Sequence, residues 1–146
     1  MSLSTKLKAI REGIKAVLAP LKEEVEANLV FGDRVRTSSL KPPAIWIFQD
    51  DSPISHAGSA LAEEWTYNYV VAALVLNTDP EKGMEEAEDL AARATAALVA
   101  DRTLSGAVRD TVRTRYLPGY ATNVAKGPQL HWAAFAMESK FRHREE

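Results

Sequence analysis

Glu63-Glu64-Trp65-Thr66-Tyr67-Asn68-Tyr69-Val70-Val71-Ala72-Ala73-Leu74-Val75-Leu76, followed at once by Asn77-Thr78-Asp79-Pro80, decides the fold. The first half alternates, with Trp65, Tyr67 and Tyr69 on one face and Glu64, Thr66 and Asn68 on the other. That is the period of a strand. From Val70 to Leu76 both faces are apolar, so one end of the strand is covered on both sides and the other is half exposed. Asp79 then reads as a helix cap and Pro80 as a first helical residue. Glu81, Glu85 and Glu86 complement the positive end of the helix dipole. Met84, Ala87, Leu90, Ala91, Ala94, Ala97 and Leu98 make one apolar stripe that ends near Asp101. Its small side chains let the helix lie close against a sheet.

Upstream, Leu7, Ile10, Ile14, Val17, Leu18, Leu21, Val25 and Leu29 recur at spacings of three and four, predicting a helix over residues 4–29 with Ser4 as its cap. Pro20 lies inside it, so the prediction is either one bent helix or two short ones. Gly32-Asp33 signals a turn, and Arg34 to Thr37 suits a short edge strand. Pro42-Pro43 forces extended backbone, and Ala44 to Gln49 reads as an interior strand. Residues 50–61 form a long loop, the kind that often carries function.

Downstream, Thr103 to Gly106 turns the chain. Residues 107–117 read as a strand with Arg109, Thr111, Arg113 and Arg115 on one face and Val108, Val112 and Tyr116 on the other, although the latter three also fit a helix. Residues 118–127 form a second long loop. Gln129 to Arg142 is a last strand, and His143 to Glu146 is a frayed tail. The expected architecture is α+β: a mainly antiparallel sheet of four to five strands packed by two helices, in a single domain over residues 1–146.

The chain has 146 residues, 46% hydrophobic and 26% charged, with a formal net charge of −2. This is ordinary for a globular protein and gives no general reason to expect nucleic-acid or membrane binding. Zero cysteines exclude disulfides, thiol catalysis and thiolate metal sites. No apolar run approaches the ~18 residues of a membrane span, and no signal core follows the amino terminus. The expectation is a soluble, intracellular protein.

The residue pattern points away from catalysis. His56, His131 and His143 have no second ligand at helical or tight-loop spacing, and only Asp50 and Asp51 near His56 suggest a hard-ion site. The adjacent acidic pairs Asp50-Asp51, Glu63-Glu64 and Glu85-Glu86 are explained by turns, solvation and the helix dipole. Ser38, Ser39, Ser52, Ser55 and Ser59 lack a nucleophile-elbow context. The glycines form no phosphate-cradling loop. The expectation is no enzyme, no cofactor and no metal. The candidate contact residues are the arginines Arg109, Arg113 and Arg115, with Arg102 and Lys126 nearby, and the aromatics Trp65, Tyr67 and Tyr69, with Trp132. The arginines suit either phosphates or a solvated face. The aromatics suit either a core or an interface.

The amphipathic opening helix, the Pro42-Pro43-Ala44-Ile45-Trp46-Ile47 strand entry and the long strand through Val70 to Leu76 set an order of elements. The Asp79-Pro80 helix start, the Asp101-Arg102-Thr103-Leu104-Ser105-Gly106-Ala107-Val108 turn and the closing strand pair complete it. In that order the chain resembles bacteriophage tail terminator and tail-completion proteins. The resemblance implies a homo-oligomeric ring, a hexamer, that caps the tail tube and stops its polymerisation. It implies the tail tube protein and head–tail connector proteins as partners, with loops 50–61 and 118–127 as contacts. DNA would pass through the lumen without sequence-specific binding, and the protein would sit in the virion tail or neck after assembly in the host cytoplasm. A head–tail connector or other neck protein is the nearest alternative. A small α+β ligand-binding domain, with His131 or His56 beside a carboxylate, is the other.

Overall fold

The computed structural model describes residues 2–32, 41–56, 62–119 and 128–144. Its elements are α1 (Leu3–Glu24), β1 (Asn28–Phe31), β2 (Ala44–Gln49), β3 (Ile54–Ser55), β4 (Ala62–Asn77), α2 (Pro80–Ala100), β5 (Asp110–Leu117) and β6 (Gln129–Arg144). The sheet runs β1-β2-β4-β6-β5, with β3 also paired to β4. Every pairing is antiparallel except β1 with β2. The α+β expectation holds, and the sheet has six strands rather than four or five. The expected edge strand at Arg34 to Thr37 lies outside the described residues.

β4 and β6 pair along their whole 16-residue lengths, from Ala62↔Arg144 to Asn77↔Gln129. α2 leaves the end of β4 and returns the chain to β5 on the far side of β6. It therefore crosses β6 and presses Ala87, Leu90, Ala91, Ala94 and Leu98 into the sheet. Met84, expected in that stripe, is instead exposed, and Gly83 is the buried residue of the first turns. Asp79 caps α2 as predicted, its Oδ1 accepting from the Glu81 and Lys82 amides at 3.0 and 3.1 Å. Asp79→Ala leaves both donors without that partner. It is expected to lower unfolding free energy by about 1 kcal/mol, measured as the urea midpoint against the parent.

α1 differs from its prediction at both ends. Ser2, not Ser4, is the cap, accepting from the Thr5 amide. Pro20 is held inside one continuous helix. The helix stops at Glu24 because Glu26 turns left-handed (φ 52°) and the Ala27 amide bonds back to the Lys22 carbonyl at 3.0 Å. This is the Schellman arrangement built without glycine. Leu29, predicted as helical, lies in β1.

Both helices lie on one face of the sheet. Ile10, Ile14, Leu18 and Leu21 of α1 meet the buried face of α2 and the odd-numbered side chains of β4 and β6 in one core. The Asp101–Val108 turn closes this layer. Leu104 is fully buried in left-handed backbone (φ 50°), and its carbonyl approaches α1 at Gly13. A Cβ at Gly13 would lie 2.6 Å from that oxygen, so the position excludes a side chain.

Candidate functional site

Beyond β2, residues 50–56 do not leave the sheet. The Asp50 amide bonds the Asn68 carbonyl, the Ser52 hydroxyl accepts from the Asn68 amide, and the Thr66 amide reaches the Pro53 carbonyl. β3 then pairs Ile54 with Trp65 and Ser55 with Glu64. The first half of the expected loop is thus a bulged extension of β2 along β4. Residues 57–61, and 120–127 of the second loop, lie outside the described residues.

The predicted aromatic patch is not a surface. Tyr67 and Tyr69 are 2% and 0% exposed, beneath the helices. The Tyr67 hydroxyl accepts from Gln49 Nε2. The Tyr69 hydroxyl, the Ser139 hydroxyl and the Thr111 hydroxyl form a buried chain across β4, β6 and β5, with both links 3.0 Å long. Burial pushes the Tyr69 phenol up to about 12. Trp65 is partly covered and stacks on Phe141, ring centroids 5.4 Å apart. These side chains fill the core between sheet and α1, which removes Tyr67 and Tyr69 as contact residues.

The predicted arginine strip is split. A bulge between Arg113 and Arg115 leaves Thr114 unpaired, so Arg113 faces Met137 and Arg115 faces the next residue, Ala136. One extra residue reverses the facing of the rest of the strand. Arg113 lies on the helix side, its guanidinium 4.7 Å from the Phe135 ring centroid and within 3.3 Å of the Ala92 carbonyl oxygen. Arg115 emerges on the opposite face. Thr111, expected beside the arginines in solvent, is buried, whereas Val112 and Tyr116 are exposed. Tyr116 donates to Glu88 of α2 at 2.8 Å.

The charges gather elsewhere. Glu64 on β4 accepts from Arg142 of β6 at 2.7 Å and lies 3.9 Å from Arg109. The Arg142 hydrogen bond holds the Glu64 carboxyl below the usual carboxylate range. Arg102 pairs with Asp110 at 2.9 Å, and that hydrogen bond lowers the Asp110 carboxyl in the same way. Lys140 and Arg144 are exposed on the same face of β6 as Arg142. Sequence reasoning misses this cluster because it treats residues 143–146 as a tail. Yet β6 runs to Arg144, and His143 is buried. The alternation of Lys140, Arg142 and Arg144 with Ser139, Phe141 and His143 is the signal that could have found it.

The face of the sheet opposite the helices has its own apolar cluster at the other end. Ala44, Val70, Ala72, Leu74 and Ala134 are buried there among the partly exposed Val30, Trp46, Phe48, Leu117, Leu130 and Trp132. Among the described residues, every member comes from a strand. This is the half of β4 that the sequence marks as covered on both sides.

The backbone is similar to that of a virion chain. The match is to a chain of the virion of the native gene transfer agent particle, at 13% identity over 92% of each chain, with a TM-score of 0.35. No protein-family model matches the chain, and no curated protein matches it.

Of the residues weighed for chemistry, His131 is buried with Nε2 3.2 Å from the Asn77 carbonyl oxygen, and His56 is exposed just beyond β3. The two are not brought together. No group of three or more metal-ligating side chains occurs among the described residues. No described helix is long and apolar enough to cross a membrane.

Proposed function

We propose that this chain is a structural protein of phage-like particle assembly. It forms a homo-oligomeric ring that caps the tail tube, ends tail polymerisation and joins tail to head. The observation that carries this reading is that, among the described residues, helices cover one face of the sheet and strands alone build the cluster on the other. Among the described residues, that second sheet face carries half-exposed Trp46 and Phe48, apolar area of the kind that association uses. The element order that carries the family resemblance is also the order of the structure. The same proposal makes the chain non-catalytic. In support, His131 and His143 are packed into the helix-side layer, and the acidic pair Asp50-Asp51 sits where the chain is bonded along β4.

In this reading a subunit presents two different patches to its neighbours, and the rotation closes. The tail tube protein and the connector are the partners along the ring axis, and DNA passes through the lumen. The test is the solution mass by light scattering across a concentration series, with negative-stain images of the largest species. Closed rings are the expected result, of six subunits if the family resemblance extends to ring size. A single-subunit mass at every concentration, with no rings, would sink the proposal.

A further inference from the structure

α1 carries its charges unevenly. Over residues 1–22 the sequence holds five cations, Lys6, Lys8, Arg11, Lys15 and Lys22, against the single carboxylate of Glu12. Lys6 is set apart, its ammonium 5.6 Å from the Phe141 ring centroid. At about 100° per residue, the other four fall within an arc of about 60° and make a stripe about 21 Å long. The stripe runs down one flank of the helix. Ile10, Ile14, Leu18 and Leu21 point into the core, and α2 and the Asp101–Val108 turn border the other flank, at Gly13, Ala16, Val17 and Pro20. Lys8, Lys15 and Lys22 are exposed, and Arg11 is half-buried. Among the described residues, no carboxylate of another element pairs with any of the four. Glu12 and Glu23 lie along the outer edge of the arc rather than within it. Glu12 comes within 3.6 Å of Lys15, an exposed pair of the kind that contributes little.

A near-neutral total therefore hides a local row of like charges on a rigid element. We propose that this flank of α1 binds the phosphate backbone of a nucleic-acid duplex without reading its sequence. A duplex offers one phosphate per ~3.4 Å of axis on each strand, so a stripe of about 21 Å passes roughly six of them on one strand. The composition of the stripe argues against other partners. Protein interfaces bury aromatic and apolar side chains at their centre and are poor in lysine, whereas the uncharged residues in or beside this arc are Ser4 and Ala19. A helix that lies on a lipid surface must sink its apolar face into it, and the apolar face of α1 is already spent on the core. The stripe has no Asn or Gln to pair with base edges, and lysines on phosphates fix position without specifying sequence. The inference stands apart from the ring reading, since a single subunit carries the whole stripe.

The experiment uses three chains: the parent, Lys8→Gln/Lys15→Gln/Lys22→Gln, and Lys140→Gln/Arg144→Gln as a control that removes cations elsewhere. Circular dichroism and melting first confirm that all three fold. Fluorescence anisotropy then follows binding to a labelled DNA duplex of mixed sequence across a salt series. Four phosphate contacts predict that the parent binds roughly a hundredfold more weakly at about 200 mM salt than at about 50 mM. The α1 variant should bind at least about tenfold more weakly at the lower salt and lose most of the salt dependence, about one contact per lysine removed. The control should match the parent. If the triple variant folds poorly, the three single changes give the same answer through their salt slopes. No binding by the parent at about 50 mM salt overturns the proposal. So does equal binding by the parent and the α1 variant, or an equal loss in the α1 variant and the control. A labelled poly-glutamate peptide is run beside the duplex. If it binds the parent as tightly and fails on the same variant, the stripe serves an acidic protein and the proposal is overturned. The mass measurement that tests the ring is independent of all these outcomes.

Discussion

Gly83→Ala is expected to destabilise the fold by about 2–3 kcal/mol, although intrinsic helix propensity alone favours alanine there by about 1 kcal/mol. The sign of the change therefore tests the packing. Gly83 lies in the first turns of α2 against the His131 ring, and a Cβ would sit 2.2 Å from His131 Cδ2 and 2.3 Å from Nε2. His131 is 3% exposed and its Nε2 is 3.2 Å from the Asn77 carbonyl oxygen. A shift of the ring away from a new methyl group strains that hydrogen bond. Overpacking costs about 1–3 kcal/mol, and a buried polar group left without its partner costs about 1–3 kcal/mol more. Together they outweigh the propensity gain. Urea unfolding of Gly83→Ala, His131→Ala and the double variant makes a cycle. Removing the ring frees space for the new methyl, so the double variant should be at least about 1 kcal/mol more stable than the two single changes predict together. Additive losses, or a stabilised Gly83→Ala, would show that the ring does not set the helix against the sheet.

Alkaline pH should destabilise this protein through Tyr69. Its phenol ionises near 10 in the unfolded chain and is pushed up to about 12 in the fold, chiefly by burial. A raised folded pKa means that the native state keeps the proton longer. The associated stability is complete below the unfolded value and disappears as pH rises from about 10 through about 12. Over that window the loss is about 2–3 kcal/mol for this one group. In Tyr69→Phe the hydroxyl is gone, and Ser139 still has Thr111 as a partner at 3.0 Å. The variant should therefore lose only about 1 kcal/mol near neutrality. Its stability should fall less steeply than the parent's above about pH 10. Parallel slopes for the two chains would mean that the phenol is not the group that titrates.

Local signals carry much of the fold. β4 and α2 are legible almost to the residue because their determinants are short-range: alternation, an apolar run, and Asp79 and Pro80 at the helix start. The features that escape depend on partners distant in sequence. Tyr67 and Tyr69 alternate with Glu64, Thr66 and Asn68, which says that one face of β4 is wet, but not that α1 brings Ile10 and Ile14 over the other. β1 reads as the end of α1 because Val25 and Leu29 continue a helical spacing through a stop made by Glu26, a residue type that does not announce a left-handed turn. The arginine strip fails for one residue, Thr114, since a bulge leaves no mark on the pattern beyond a change of phase. The charged cluster around Glu64 is visible in part, as the alternation that ends β6. Its convergence with Arg109 needs the strand register.

The same bulge bears on the behaviour of many copies crowded together. β5 is an outer strand of the sheet, and a flat outer strand invites a neighbour's backbone to extend the ladder without limit. Thr114 interrupts that template midway, its hydroxyl donating to the Ala136 carbonyl at 3.1 Å. On either side of it, Arg113 and Arg115 put a guanidinium on each face of the sheet rim. An incoming strand would meet a kinked ladder and would have to bury or displace positive charge whichever face it approached. Copies at high local concentration are thereby hindered from pairing rim to rim along β5, and contacts between them are left to other surfaces.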